Sequence, residues 1–146
     1  MLNIRSIRKN LANYMATLYA DNVEVIVLTE TWLSKEKEQG CIIPGYRGHF
    51  SSNDTYRSGG VAVFVSDRLP STKIDFEETV NCDSLIVHIS FPRKKLQLVA
   101  VYRSPTSSVS NLNQFSRDNM VRIMSELRND SHCLRMGDMN IFERPT

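Results

Sequence analysis

The stretch Cys133-Leu134-Arg135-Met136-Gly137-Asp138-Met139-Asn140 places a short apolar run before a glycine and two polar side chains. Residues 133–136 predict a buried β-strand, and the glycine lets the chain turn sharply as it leaves that strand. The turn presents the Asp138 carboxylate, which can hold a cation or a water, and the neutral Asn140 carboxamide. Because Asp and Asn are also ordinary turn residues, the tetrapeptide alone does not separate a turn from a site.

Outward from this stretch, helical and extended patterns alternate. Apolar residues recur at helical spacing over 7–20, which predicts an amphipathic helix. The β-branched run at 23–29 predicts a mostly buried strand. Residues 85–91 and 96–102 predict an antiparallel hairpin. Shorter strands are predicted at 1–4, 61–65 and 132–136, an extended piece after Pro44-Gly45, and a second helix at about 112–128. Strand, helix, strand at the start indicates an α/β fold.

The bulk composition is that of a folded domain. The 146 residues are 41% hydrophobic and 23% charged, which suffices for one domain with a real core and excludes general disorder. The net charge is +2, too small to argue for nucleic acid by itself. The basic residues form only small groups, as expected of solvated turns and helix faces.

Cysteine usage and hydropathy exclude several classes. The three cysteines, Cys41, Cys82 and Cys133, are far apart and form no C-x-x-C pair, so neither a zinc site nor a disulfide framework is expected. A reducing, intracellular compartment fits. The N-terminus shows no signal-peptide pattern, and no apolar run approaches membrane-spanning length, so we expect no membrane partner.

Polar residues stand where predicted strands end. Glu30 directly follows the strand at 23–29, Tyr102 ends the hairpin, Asp138 follows the last strand, and Asn3 lies near the first. Ligand sites in α/β sheets favour the carboxyl ends of strands. Two carboxylates meeting there repel each other unless a cation lies between them or one is protonated. Oxygen ligands favour Mg²⁺ or Mn²⁺, which recruit phosphate oxygens, so phosphoester cleavage is the natural chemistry.

Five segments resemble, in order, the motifs of the endonuclease/exonuclease/phosphatase superfamily. They are Asn3-Ile4-Arg5-Ser6, Glu30-Thr31-Trp32-Leu33, Arg57-Ser58-Gly59-Gly60-Val61-Ala62-Val63, Val101-Tyr102-Arg103-Ser104-Pro105 and Gly137-Asp138-Met139-Asn140. The residues of these motifs are most similar to those of the endonuclease domain of jockey-like non-LTR retrotransposons. The resemblance spans nearly the whole chain, and it implies one domain over 1–146, a two-sheet α/β sandwich with outer helices.

The resemblance also implies roles at the site. Glu30 would be the main metal ligand, for Mg²⁺ or Mn²⁺, and Asn3 would support the metal and the scissile phosphate. Tyr102 would hydrogen-bond a phosphate oxygen. Asp138 would orient or deprotonate the attacking water, and Asn140 would steady the charge that builds on the phosphate. Each has a plainer alternative, since Asn3 also suits a turn, Glu30 a solvated strand end and Tyr102 the core.

The resemblance implies DNA as the partner. Arg57 and Arg103 would touch its backbone, the usual task of arginines near a phosphate site. We expect Trp32 only to cover the core. His49, His88 and His132 match no motif and are expected to be structural or exposed. Nuclear action follows from the resemblance alone, because the chain has no strong basic localisation run.

The chain departs from the family pattern at its C-terminus. Family members continue past Gly-Asp-x-Asn to a Ser-Asp-His-like motif, whereas this chain ends six residues after Asn140 and contains no Ser-Asp-His. We therefore expect a truncated domain with exposed sheet edges and impaired DNA nicking. The alternatives are an inactive remnant that binds nucleic acid weakly at most, and a phosphatase of small phosphoesters.

Overall fold

Eight strands form two four-stranded sheets in the computed structural model, which describes residues 1–52, 58–74, 82–105 and 120–140. The first sheet has the spatial order β1-β2-β4-β3, and the second has the order β5-β6-β7-β8. The strands are β1 (Leu2–Asn3), β2 (Val25–Thr29), β3 (Tyr46–Ser51), β4 (Val61–Ser66), β5 (Ser71–Ile74), β6 (Cys82–Phe91), β7 (Lys94–Arg103) and β8 (His132–Asp138). The pairs β1–β2 and β7–β8 are parallel, and the other neighbours are antiparallel.

The main core lies between the two sheets. Successive residues of a strand point to opposite faces, so alternate residues of β2, β4, β6 and β7 face inward. Val27, Val63, Val87 and Ala100 belong to this inner cluster, and each is at most 2% exposed. All six residues of β4 are buried because that strand is covered on both faces.

Helices cover the outer faces of the sandwich. The described helices are α1 (Ile7–Asn10), α2 (Ala12–Ala20), α3 (Lys35–Glu38) and α4 (Met120–Glu126). Ile7 of α1 packs with Leu28 and Phe64 on the outer face of the first sheet. Ile123 of α4 packs with Val99 and its neighbours on the outer face of the second sheet. The predicted two-sheet α/β sandwich with outer helices is thereby confirmed.

Most predicted elements occur close to their expected positions. The hairpin of β6 and β7 is longer than predicted and pairs Leu85 with Ala100. The helix predicted over 7–20 is interrupted at Leu11, which separates α1 from α2. The short strand β5 was not predicted. Of the second predicted helix, residues 112–119 lie outside the described residues, and Met120–Glu126 is helical.

The predicted burial of the last strand was wrong. Residues 132–135 of β8 are exposed, and Leu134 is 45% exposed. Within the described ranges β8 pairs with β7 alone and forms the edge of its sheet. The apolar run thus predicted the strand correctly, but it did not predict that the strand is exposed at the sheet edge.

The predicted role of Trp32 in covering the core was also wrong. Its side chain is 41% exposed, whereas its neighbours Thr31 and Leu33 are 1% and 3% exposed. The indole points outwards although both of its neighbours are buried, so it does not cover the core.

The histidines match their expected roles. His49 is buried with its Nε2 atom 2.9 Å from Ser71 Oγ, His88 is half-buried, and His132 is exposed. Within the described ranges, no helix has the length and apolar character needed to cross a lipid bilayer.

Candidate active site

Asn3 links the two carboxylates that the sequence singled out. Asn3 is the last residue of β1 and pairs with Thr29 at the end of the parallel strand β2. Its Nδ2 atom donates to Glu30 Oε1 at 2.9 Å and to Asp138 Oδ2 at 3.3 Å. Glu30 follows the first sheet and Asp138 ends the second, so one carboxamide bridges the two sheets at this edge of the sandwich.

Tyr102 joins the same cluster from β7. Its hydroxyl donates to Glu30 Oε1 at 3.4 Å, and its backbone pairs with Asp138 across the parallel β7–β8 ladder. Burial first, and then the negative charges of Glu30, Asp138 and Asp83, together raise the pKa of Tyr102 to about 12. The phenol is therefore a neutral hydrogen-bond donor near pH 7.

A strained turn presents Glu30. Glu30 and Trp32 both have φ of 55°, a conformation that non-glycine residues rarely adopt. The Trp32 N–H donates to the Gly59 carbonyl at 2.9 Å, and the Thr31 N–H lies 3.4 Å from the Gly60 carbonyl. The glycine pair before β4 thus fixes the turn, and a β-carbon at Gly60 would overlap Thr31 Oγ1.

Asp83 is a site residue that the sequence analysis missed. It is 6% exposed, and its Oδ2 atom accepts a hydrogen bond from the Gly60 N–H at 2.8 Å. It pairs with Tyr102 across the β6–β7 hairpin. The carboxylate therefore supports the glycine pair that holds the Glu30 turn, and its charge contributes to the raised pKa of Tyr102. Extending the predicted hairpin in the observed register would have placed this carboxylate opposite Tyr102.

The turn after β8 fixes Asp138 and Asn140. The Asn140 N–H lies 3.3 Å from Asp138 Oδ1, and the Asn140 side chain donates to the Arg103 carbonyl at 2.7 Å. One of the two Asn140 amide hydrogens is thereby committed, and this bond sets the orientation of the carboxamide. Both Asp138 carboxylate oxygens accept hydrogen bonds, from Asn3 and from Asn140, so its orientation is fixed as well.

The predicted contact of Arg103 with DNA does not fit the structure. Arg103 is 5% exposed, and its Nη1 atom donates to the Met139 and Asn140 carbonyls at 3.3 and 3.2 Å. Its guanidinium is used to hold the turn that carries Asn140. Arg57, the other arginine predicted to contact DNA, lies outside the described residues.

Asn3, Glu30, Tyr102, Asp138 and Asn140 thus meet at one edge, as the sequence predicted. Within the described ranges, no group of three or more His, Cys, Asp or Glu side chains is arranged to hold a metal ion. The donor set nevertheless suits a hydrated Mg²⁺, which needs only one or two carboxylates with water and phosphate oxygens completing its shell. Glu30 and Asp138 lie within hydrogen-bond distance of the same Asn3 nitrogen, and a cation would relieve their mutual repulsion.

Many solved structures are similar to this chain, and three of them illustrate the range. The endonuclease domain of TRAS1, a telomere-specific non-LTR retrotransposon, matches with a TM-score of 0.71 and 16% identity over 95% of this chain and 58% of that one. TDP2 from D. rerio, complexed with a single-strand DNA product, gives 0.65 and 20% identity over 98% of this chain and 57% of that one. An AP endonuclease from Archaeoglobus fulgidus gives 0.65 and 16% identity over 98% and 57%.

At these identities the three matches establish the fold alone, and this chain spans under two thirds of each matched chain. No curated protein matches the chain in sequence. The model of the "Endonuclease/Exonuclease/phosphatase family" matches residues 2–145, which is nearly the whole chain. The chain therefore belongs to the endonuclease/exonuclease/phosphatase family, whose members include nucleases and phosphatases.

Proposed function

We propose that this chain carries the metal-binding part of a divalent-metal-dependent DNA endonuclease of the non-LTR retrotransposon type. The observation that carries the proposal is the hydrogen-bonded cluster of Asn3, Glu30, Tyr102 and Asp138. Carboxylates alone repel a phosphodiester, whereas carboxylates that hold a cation attract it. DNA is the proposed substrate because two proteins of this fold are a retrotransposon endonuclease domain and a protein complexed with a single-strand DNA product. Action in the nucleus is part of the same proposal.

The side chains divide the work of phosphodiester hydrolysis. When bound, Mg²⁺ or Mn²⁺ would neutralise charge on the phosphate and polarise it for attack. Glu30 would hold the metal. Asn3 holds the Glu30 and Asp138 carboxylates next to each other by donating a hydrogen bond to each. Tyr102 stays protonated because its pKa is raised, and it would donate to a nonbridging phosphate oxygen the hydrogen bond that Glu30 accepts in this structure. Asp138 orients the attacking water and accepts its proton.

Asn140 supplies a neutral donor for the transition state. The Arg103 carbonyl takes one of its amide hydrogens, and among the described residues the other has no acceptor, so it would donate to an oxygen of the phosphate. A donor fixed in advance stabilises developing negative charge without further reorganisation. We therefore assign Asn140 to the charge that builds on the phosphate.

A nicking assay on supercoiled plasmid tests the proposal. We expect nicking with Mg²⁺ and none with EDTA. Glu30→Gln keeps the size of the side chain but removes its charge, and we expect a loss of about 10²-fold or more. Glu36→Gln is the matched control, because Glu36 is an exposed residue of α3 and the same change there should leave nicking intact. Nicking that persists in EDTA, or in Glu30→Gln, would contradict the proposed metal site.

A second candidate is a nucleic-acid binder that does not cleave. Folded protein that binds DNA with a steep salt dependence but never nicks would support this candidate. A phosphatase of small phosphoesters is distinguished by turnover of p-nitrophenyl phosphate, a monoester, without any cleavage of plasmid.

A further inference from the structure

Trp32 is an exposed aromatic side chain on a rigid segment. The indole is 41% exposed, although Thr31 and Leu33 on either side are almost fully buried. Its backbone N–H is held by the Gly59 carbonyl at 2.9 Å, and its φ of 55° is rarely adopted by non-glycine residues. Such strain persists only where the surroundings enforce it, and it is concentrated at functional sites.

The same backbone contact places Trp32 at the rim of the candidate active site. Gly59 lies against Tyr102, since a β-carbon at Gly59 would be 3.6 Å from Tyr102 Cε1. The Trp32 backbone is therefore hydrogen-bonded to a residue that lies beside the Tyr102 ring. It also follows Glu30 by two residues in the turn that presents the carboxylate.

We infer that Trp32 is a stacking platform for a nucleobase of the bound nucleic acid, and this inference rests on the proposed function. Each phosphate of a nucleic acid joins two nucleosides that carry planar bases, and an indole can stack on any of them because every base has a π-face. Carboxylates at the centre of the site take no part in such recognition. A base reaches the indole only after it leaves its own stack, so single-stranded DNA binds better than a perfect duplex of the same length.

The chain offers a direct optical test. Trp32 is the only tryptophan in the sequence, so intrinsic fluorescence reports on this residue alone. Fluorescein-labelled oligothymidylate and an oligomer of abasic sites of the same length would be titrated in Ca²⁺, with binding followed by anisotropy. We expect the base-bearing oligomer to quench the indole strongly. The abasic oligomer, which offers the same phosphates, should leave the emission nearly unchanged.

Variants give a second readout. Trp32→Ala should weaken binding of oligothymidylate by about tenfold to a hundredfold and leave the abasic oligomer unaffected. Trp32→Phe should fall between Trp32→Ala and the unaltered chain. Tyr14→Ala is the matched control, because Tyr14 is a 39% exposed aromatic residue of α2, and its removal should not alter either affinity.

The outcomes separate this inference from the proposed function. Binding of both oligomers with equal quenching, or unchanged affinity in Trp32→Ala, would overturn the stacking role and leave DNA binding in place. Absence of binding to either oligomer by anisotropy would overturn the proposed DNA-directed function, and the stacking role with it.

Discussion

Replacement of Gly60 by alanine tests how the turn of Glu30 is held. Gly60 has φ of +87°, and a β-carbon there would overlap the Thr31 hydroxyl oxygen. Gly45 has nearly the same φ, +84°, but an added β-carbon would meet nothing within 4 Å. Gly45→Ala therefore carries the backbone strain alone, whereas Gly60→Ala carries the strain and the overlap.

The two costs can be worked out separately. A left-handed conformation costs a residue with a β-carbon about 1–2 kcal/mol, part of which is offset by the lower entropy of the unfolded chain. Gly45→Ala should thus lower the free energy of unfolding by about 1 kcal/mol. Forcing an extra carbon into packed surroundings adds about 1–3 kcal/mol. Gly60→Ala should therefore cost about 2–4 kcal/mol.

Urea unfolding, followed by far-UV circular dichroism, measures both values as shifts of the midpoint at constant slope. Thr31→Ala removes the oxygen that the new methyl group would meet, and that oxygen has no hydrogen-bond partner among the described residues. In the double variant the cost of Gly60→Ala should fall to that of Gly45→Ala, a coupling of about 1–3 kcal/mol. Equal costs for the two single variants, or strict additivity in the double variant, would refute the reasoning.

Three further outcomes follow from the structure. Gly137→Ala should destabilise the chain by more than Gly45→Ala and should reduce nicking. The added β-carbon would overlap the backbone carbonyl of Val101, which cannot rotate away. Urea unfolding and the plasmid assay check the two effects. Burial lowers the pKa of His49, so below about pH 6.5 the unfolded chain binds more protons than the folded one. The free energy of unfolding should therefore fall as the pH drops through this range. The fall should be shallower in His49→Gln. Leu134→Lys should change the free energy of unfolding by no more than about 0.5 kcal/mol and reduce self-association in sedimentation, because Leu134 is 45% exposed on an edge strand. A large loss of stability in Leu134→Lys would mean that this edge is covered.

The local patterns of the sequence determined the fold class and the candidate site. Alternation and β-branched runs depend on adjacent residues, so β2, β4 and the β6–β7 hairpin were found close to their observed positions. Asn3, Glu30, Tyr102 and Asp138 were identified because polar residues at strand ends stand out in an apolar background. Their order matched a family pattern, and the family model confirms that membership.

Only the tertiary structure decided which side chains are covered and which partners they meet. A run such as residues 133–136 reads the same at the centre or at the edge of a sheet, because burial depends on the neighbours across the ladder. Two expectations failed for the same reason. Trp32 was expected to cover the core, but its indole is exposed. Arg103 was expected to contact DNA, but its guanidinium is buried against the Met139 and Asn140 carbonyls. Asp83 carries no motif, and its role arises from strand register and from the 2.8 Å bond to Gly60, a contact between residues 23 positions apart. Sequence patterns report local preferences. Burial and hydrogen-bond partners depend on residues that are distant in the sequence and come into contact only when the chain folds.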